Sequence, residues 1–277
     1  MDSTNVISPE RAWTDQISKI WDLEGQKVEV QIIANLGLWT RRVDIASKPE
    51  HFLLVSLKGS TVTPSLSGKL IYDETDKRGW YTDSVEVEIY FDNPNGLIRV
   101  DDSPETSGMV CSATTTTSID FNMGTGFFGE TSTGNVSASG SISSSWTESL
   151  EDFRFVRVAS DIKVHHVLQL SAVKGGVYNT PTDLIDPTQF FSDVFSGHLP
   201  GKLKELPARA TSSIGLVSQA LFKSSREMSG TRELRIEIKY HLSCVEKTFQ
   251  GVRVLASPKM TTIAAQLYSP IDFGAVD

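Results

Sequence analysis

The stretch ATTTTSIDFNMGTGFFGETSTGNVSASGSISSSWTESL, residues 113–150, decides how the rest of the chain is read. Its composition is that of a flexible Gly/Ser tether, yet its residues are sorted by parity. On the first arm Thr115, Thr117, Ile119, Phe121, Met123 and Phe127 fall on one side, and Thr116, Ser118, Asp120 and Asn122 on the other. After a turn near 129–134, Val136, Ala138, Ile142 and Trp146 share one side, while Ser137, Ser139, Ser141, Ser143 and Ser145 share the other. A tether gains nothing from such alternation. Successive strand side chains point to opposite faces, so the pattern is that of a transmembrane β-hairpin, with an apolar or methyl-bearing side for lipid and a polar side for a water-filled lumen. Each arm exceeds the roughly 9–11 residues that a tilted strand needs to cross hydrocarbon.

One hairpin cannot cross a bilayer alone, because its edges would leave backbone N–H and C=O groups unpaired in lipid. A single hairpin per chain therefore predicts a barrel closed from several chains. Closure by symmetry would turn Asp120 into a ring of carboxylates, and no lysine or arginine between Ala113 and Leu150 offsets it, which predicts a preference for cations.

The flanking sequence has period two. KVEVQI places Val28, Val30 and Ile32 on one face, DSVEVEIYF does so with Val85, Val87, Ile89 and Phe91, and ELRIEIKYHL with Leu234, Ile236, Ile238, Tyr240 and Leu242. Turn signals at Lys58-Gly59 and Asn93–Gly96 separate such runs, and an all-β sandwich is expected. Two segments differ. Ser8-Pro9, the spacing of Trp13, Ile17, Ile20 and Trp21, and Gly25 as a stop predict an amphipathic helix over 9–24. Between 175 and 213, Pro181, Pro187, Pro200 and Pro207 break regular strands; Tyr178, Phe190, Phe191 and Phe195 there serve either as exposed membrane-contacting aromatics or as a small local core.

With 277 residues, 39% of them hydrophobic, the chain can bury a real core, and its net charge of -8 argues against nucleic-acid binding and against basic anchoring to anionic lipid. No run approaches the roughly 20 apolar residues of a spanning helix, and the N-terminus lacks the features of a signal peptide. Cys111 and Cys244 are read as buried free thiols rather than one disulfide. Gly124–Gly129 fits G-x-G-x-x-G, but an alternating Ser/Gly arm follows it where a dinucleotide site needs a helix. His165 and His166 are adjacent on a strand and so point to opposite faces, which is wrong for one metal. Nucleophile-elbow, H-E-x-x-H and Cys-x-x-Cys patterns are missing from the sequence. No catalytic residue, cofactor or metal is expected, and the sequon at Asn135 on the proposed barrel wall is expected to be unused.

HFLLVSLKGSTV (51–62), WYTDSVEVEIYF (80–91), the hairpin, and SSIGLVSQALFKSSREMSGTRELRIEIKYHL (212–242), in this order and spacing, resemble the leukocidin and alpha-haemolysin β-barrel pore-forming toxins. The resemblance implies a secreted monomer with an N-terminal region (1–25), a cap sandwich (26–110, 151–174 and 212–277), a pre-stem hairpin (111–150) and a membrane-contacting rim (175–211). It further implies assembly into a homo-oligomeric ring of seven or eight in the target-cell membrane, with a lipid headgroup, a glycan or a protein as receptor. The rim lacks the tryptophan that many members place in a headgroup pocket, and the expected helix does not match their extended amino latch. A soluble carbohydrate-binding or adhesion sandwich with a Ser/Gly-rich loop is the alternative.

Overall fold

The computed structural model describes residues 5–44, 46–74, 76–105, 115–128, 138–158, 160, 163–173, 176–186, 202–225, 228–250 and 253–273. Among these the chain is almost wholly β. One sheet is organised on the long strand Gln26–Arg42, which pairs antiparallel with Arg11–Leu23, with Glu50–Ser56 and with Thr61–Thr63. Glu50–Ser56 pairs in turn with Gln219–Ser224, and that strand with Leu97–Ser103. The other sheet is antiparallel in the order Phe153–Val158, Val164–Leu170, Lys77–Phe91, Thr231–Gln250, Arg253–Asp272. Val28, Val30, Ile32, Leu36 and Leu38 from the first sheet join Val85, Val87, Ile89, Ile236, Ile238 and Tyr240 from the second in one buried cluster. The alternating apolar faces expected from the sequence are thus the two inner faces of the sandwich, the geometry in which period two covers one side of each sheet.

The N-terminal helix is not formed. Arg11–Leu23 is a strand, laddered from Arg11 opposite Leu38 to Leu23 opposite Gln26. Trp13, Ile17 and Trp21 are four residues apart, a spacing that satisfies a helical face and the even parity of a strand alike. They lie half-buried against the main core, while Ile20, counted on the helical face, is 57% exposed. What decides between the two is the turn: Glu24 (φ 55) and Gly25 (φ 92) both have positive φ, as a two-residue hairpin turn of type I′ requires, and Asp22 Oδ1 accepts the Gly25 N–H at 2.6 Å. Gly25 is the hinge of a hairpin rather than the stop of a helix.

Gly25→Ala places a Cβ at positive φ and is expected to lower the stability of the folded chain by ~1–2 kcal/mol in urea titration. Unchanged stability would mean that the turn does not fix this ladder.

Candidate functional site

The hairpin forms. Thr115–Phe128 and Ala138–Glu148 pair antiparallel from Thr115 opposite Glu148 to Gly126 opposite Ala138. It lies on the first sheet, where Ile119, Met123 and Ile142, all buried, pack with Trp39, Phe52, Leu54 and Leu221 in a cluster of their own. Phe121 is half-buried with its ring 5.6 Å from that of Phe52, and Thr115 and Trp146 are half-buried on the same side. Thr116, Ser118, Asp120, Asn122, Ser143 and Ser145 are exposed, and Ser139 and Ser141 half-buried, on the other. Across that polar face Ser143 Oγ donates to Asp120 Oδ1 at 2.5 Å and the Thr116 and Thr147 hydroxyls meet at 3.1 Å. Val136 and Ser137 lie outside the described residues.

The parity has one break. A bulge between Asn122 and Gly124, with Gly124 at φ +79, shifts the register, and Asn122 Oδ1 accepts the Gly124 N–H at 2.7 Å. Beyond it Thr125 is exposed and Gly126 buried, and Phe128 rather than Phe127 packs on the Ile119 cluster. Phe127 therefore leaves the face on which simple alternation put it, because a bulge adds one residue to one strand and inverts every side chain after it.

Three contacts hold the hairpin to the body. At its far end Phe128 and Phe127 ladder with Arg41 and Arg42, Arg41 Nη2 donating to the Thr125 carbonyl at 2.9 Å and Nη1 to Glu50 Oε2 at 3.2 Å. Along its second arm the N-terminal segment forms a strap: Asn5–Val6 runs parallel beside Gly140 and Ser141, the Ile7 N–H donates to the Ser141 carbonyl at 3.0 Å, and Trp39 Nε1 donates to the Ile7 carbonyl at 2.8 Å. Gly140 leaves room for the strap: a Cβ there would lie 2.4 Å from Ile7 Cδ1 and 2.6 Å from Phe128 Cζ, so both side-chain ends would have to shift. At its root the Ser118 N–H donates to Ser103 Oγ at 3.0 Å and Gln219 Nε2 reaches the Thr117 carbonyl at 3.5 Å. The seat is imperfect. Thr117 Oγ1 and Gln219 Oε1 are buried there without a hydrogen-bond partner, each at a cost of about 1–3 kcal/mol.

Tyr178 does not face solvent. It is buried, with its hydroxyl 3.0 Å from that of Tyr81 and donating to Asp83 Oδ1 at 2.6 Å, and burial raises the pKa of both tyrosines. With Leu184 and Leu203 it belongs to the main core; its phenol has a polar handle to satisfy inside, so at this residue neither an exposed aromatic nor a separate local core is formed. Phe190, Phe191 and Phe195 lie outside the described residues, as does Cys111; Cys244 is a buried free thiol.

The two histidines face opposite ways. His165 lies 3.3 Å from Glu86 and 3.8 Å from Glu88 on the outer surface. These three are close enough to share a cation, but the Lys163 and Lys239 ammonium groups, 2.8 and 3.8 Å from Glu88, already supply that charge. His166 is buried with Nδ1 3.0 Å from Ser218 Oγ and Nε2 3.1 Å from Asp102 Oδ2. The order resembles a hydrolytic triad, but Ser218, His166 and Asp102 are 1%, 1% and 2% exposed, and Arg99 and Arg157 hold the other carboxylate oxygen at 2.6 and 2.5 Å. No substrate reaches that hydroxyl. Gly124 and Gly126 lie within a strand, which removes the dinucleotide reading.

No protein-family model and no curated protein sequence matches the chain. Solved structures match its fold. The delta-toxin of Clostridium perfringens superposes with a TM-score of 0.55 at 10% identity, covering 94% of this chain and 89% of the toxin. A structure described as a pore forming protein superposes with a TM-score of 0.54 at 12% identity, covering 98% and 96%. The chain thus has the all-β fold of the leukocidin and alpha-haemolysin type of toxin over nearly its whole length.

Gly140→Val is expected to displace the strap and Phe128, an overpacking cost of about 1–3 kcal/mol borne by the hairpin. Limited proteolysis should cut within 115–148 faster than in the unmodified chain, and an unchanged cutting rate would mean that the strap does not hold the hairpin.

Proposed function

We propose that the chain is a secreted pore-forming cytolysin. It meets the target membrane as a soluble monomer, assembles into a homo-oligomeric ring, and releases its hairpin into a shared transmembrane β-barrel. The observation that carries the reading is the seat of the hairpin: an arm pair long enough to span hydrocarbon, apolar on one face and polar on the other, whose apolar side chains pack in a cluster apart from the cap core. Such a face needs a cover in water and finds another in lipid. The fold shared with delta-toxin and with the pore forming protein supports the same reading. A carbohydrate-binding module gives no reason for a two-sided hairpin of this length.

Side chains are assigned accordingly. Thr115, Thr117, Ile119, Phe121, Met123, Ile142 and Trp146 turn to lipid, joined by Val136 and Ala138. Thr116, Ser118, Asp120, Asn122 and the serines at 137, 139, 141, 143 and 145 line the lumen. Phe190, Phe191 and Phe195 supply membrane contact at the rim, since aromatics favour the interface and the net charge of -8 removes a polybasic mechanism. We take the ring to hold seven or eight subunits, the number that the sequence resemblance implies.

The test locks the hairpin. Arg42 and Phe127 are ladder partners, and opposed residues of antiparallel strands lie about 4.5–5.5 Å apart at Cα, within disulfide reach. Oxidised Arg42→Cys/Phe127→Cys protein should bind liposomes yet leave an entrapped dye inside, and reductant should restore leakage. Equal leakage from the oxidised protein would sink the release step. In planar bilayers under a salt gradient the unmodified pore should favour potassium over chloride, and Asp120→Asn should weaken that preference; anion selectivity would mean that the two faces of the hairpin are reversed.

A further inference from the structure

The buried Asp102 carboxylate joins the two chain segments between which the hairpin is strung. Leu97–Ser103 is the last described strand before the hairpin and Phe153–Val158 the first after it. Asp102 is the last residue but one of the first, and Arg157 from the other meets its Oδ1 at 2.5 Å. Each of the two hydrogen bonds at the hairpin's root comes from a direct chain neighbour of this hub: Ser103, next to Asp102, accepts from the Ser118 N–H, and Gln219, next to Ser218, reaches the Thr117 carbonyl.

We propose that this hub is an acid-sensitive clasp on the hairpin: a proton taken up by His166 disturbs Asp102 and Ser218, and through Ser103 and Gln219 it loosens Thr117 and Ser118. Nε2 faces the carboxylate and carries the ring proton, so Nδ1 accepts from the Ser218 hydroxyl. A proton arriving at Nδ1 makes it a donor, and Ser218 must turn to accept from it, giving up its present role as donor. The charges surrounding His166 are Asp102 and Arg99 from the 97–103 strand, Arg157 from the 153–158 strand and its own neighbour His165; the Phe155 ring, 4.9 Å away, adds no compensating charge. Protonation would put a third cation around one carboxylate.

Burial holds the His166 pKa below its ordinary value; Asp102 opposes this shift and Arg157 and His165 add to it. A histidine whose native pKa is depressed contributes its stabilisation fully above the ordinary pKa of about 6.5 and loses it as the pH falls from there toward the depressed value. A released hairpin that opens the root to water returns His166 toward that ordinary value. Acid then favours release.

The inference rests on the hairpin-release reading but is tested without lipid, by hydrogen exchange of the full chain at pH of about 7.5 and about 5.5, corrected for intrinsic exchange rates. Protection of the Ser118 amide should fall by up to ~tenfold per pH unit below about pH 6.5, while that of Ile236 in the cap core holds. His166→Gln should abolish the fall and His165→Gln retain it. Ser218→Ala removes the hydroxyl that the protonated ring must turn and should shrink the fall, and an undiminished fall there would overturn the clasp, so the outcome is decided even if His166→Gln does not fold. Constant Ser118 protection in the unmodified chain, an equal loss at Ile236, or a fall that persists in folded His166→Gln would overturn the clasp. An acid-loosened hairpin in a protein that never leaks dye would instead overturn the pore reading alone.

Discussion

The apolar face of the hairpin must be covered in every environment the chain meets, and much of the structure is arranged around that requirement. In water the cover is Trp39, Phe52, Leu54 and Leu221 on the outer side of the first sheet, with burial of each large side chain such as Ile119 or Met123 stabilising by about 1.5–3 kcal/mol. Threonines, serines and glycines make up most of the rest of the two arms. On the proposed reading, a more apolar hairpin would cross lipid better but would require a larger patch to hide it, and a fully polar one would have no reason to leave water.

The same requirement explains why the seat is good but incomplete. An open cleft of about 770 Å³ between the first sheet and the second arm, lined by Trp13, Leu36, Leu54, Ser143 and Ser144, leaves part of the contact unfilled, and two buried polar atoms at the root lack partners. Interiors gain their cohesion from close packing and satisfied hydrogen bonds, and a contact short of both lies toward the low-stability end of a fold. Directional contacts make up part of the difference: the Arg41 fork on the Thr125 carbonyl and the strap across Gly140 position the hairpin without adding apolar area.

Much of this is legible in the sequence, and what is not has identifiable causes. Alternation at 28–32, 85–91 and 234–242 states which side chains face the core because burial on one face of a sheet leaves no freedom in parity. The hairpin is legible for the same reason on both arms up to Asn122. The N-terminal strand is not, since Trp13, Ile17 and Trp21 fit two periods, and the deciding turn at Glu24 and Gly25 looks in sequence like a helix terminus. The bulge at Gly124 is invisible to parity counting, which assumes an unbroken ladder. Tyr178 sits in a stretch with no periodicity, where composition cannot separate an exposed aromatic from one hydrogen-bonded to Tyr81 and Asp83. The hub lay furthest from reach: Asp102, His166 and Ser218 are brought together from three distant segments, and no local pattern records it.

The separation of the two apolar clusters determines what the fold can afford to lose. The main core draws on both sheets and on Leu150, Tyr178 and Leu203, but on no described side chain between Thr115 and Glu148. Removing the hairpin therefore leaves the main core packed, and uncovers the outer patch around Trp39, Phe52, Leu54 and Leu221 together with the root at Ser103 and Gln219. A folded body that can give up a segment without opening its core undergoes a local transition rather than unfolding. On the proposed reading, the patch so uncovered is apolar surface that needs a new cover, and a neighbouring subunit is one that a ring would supply.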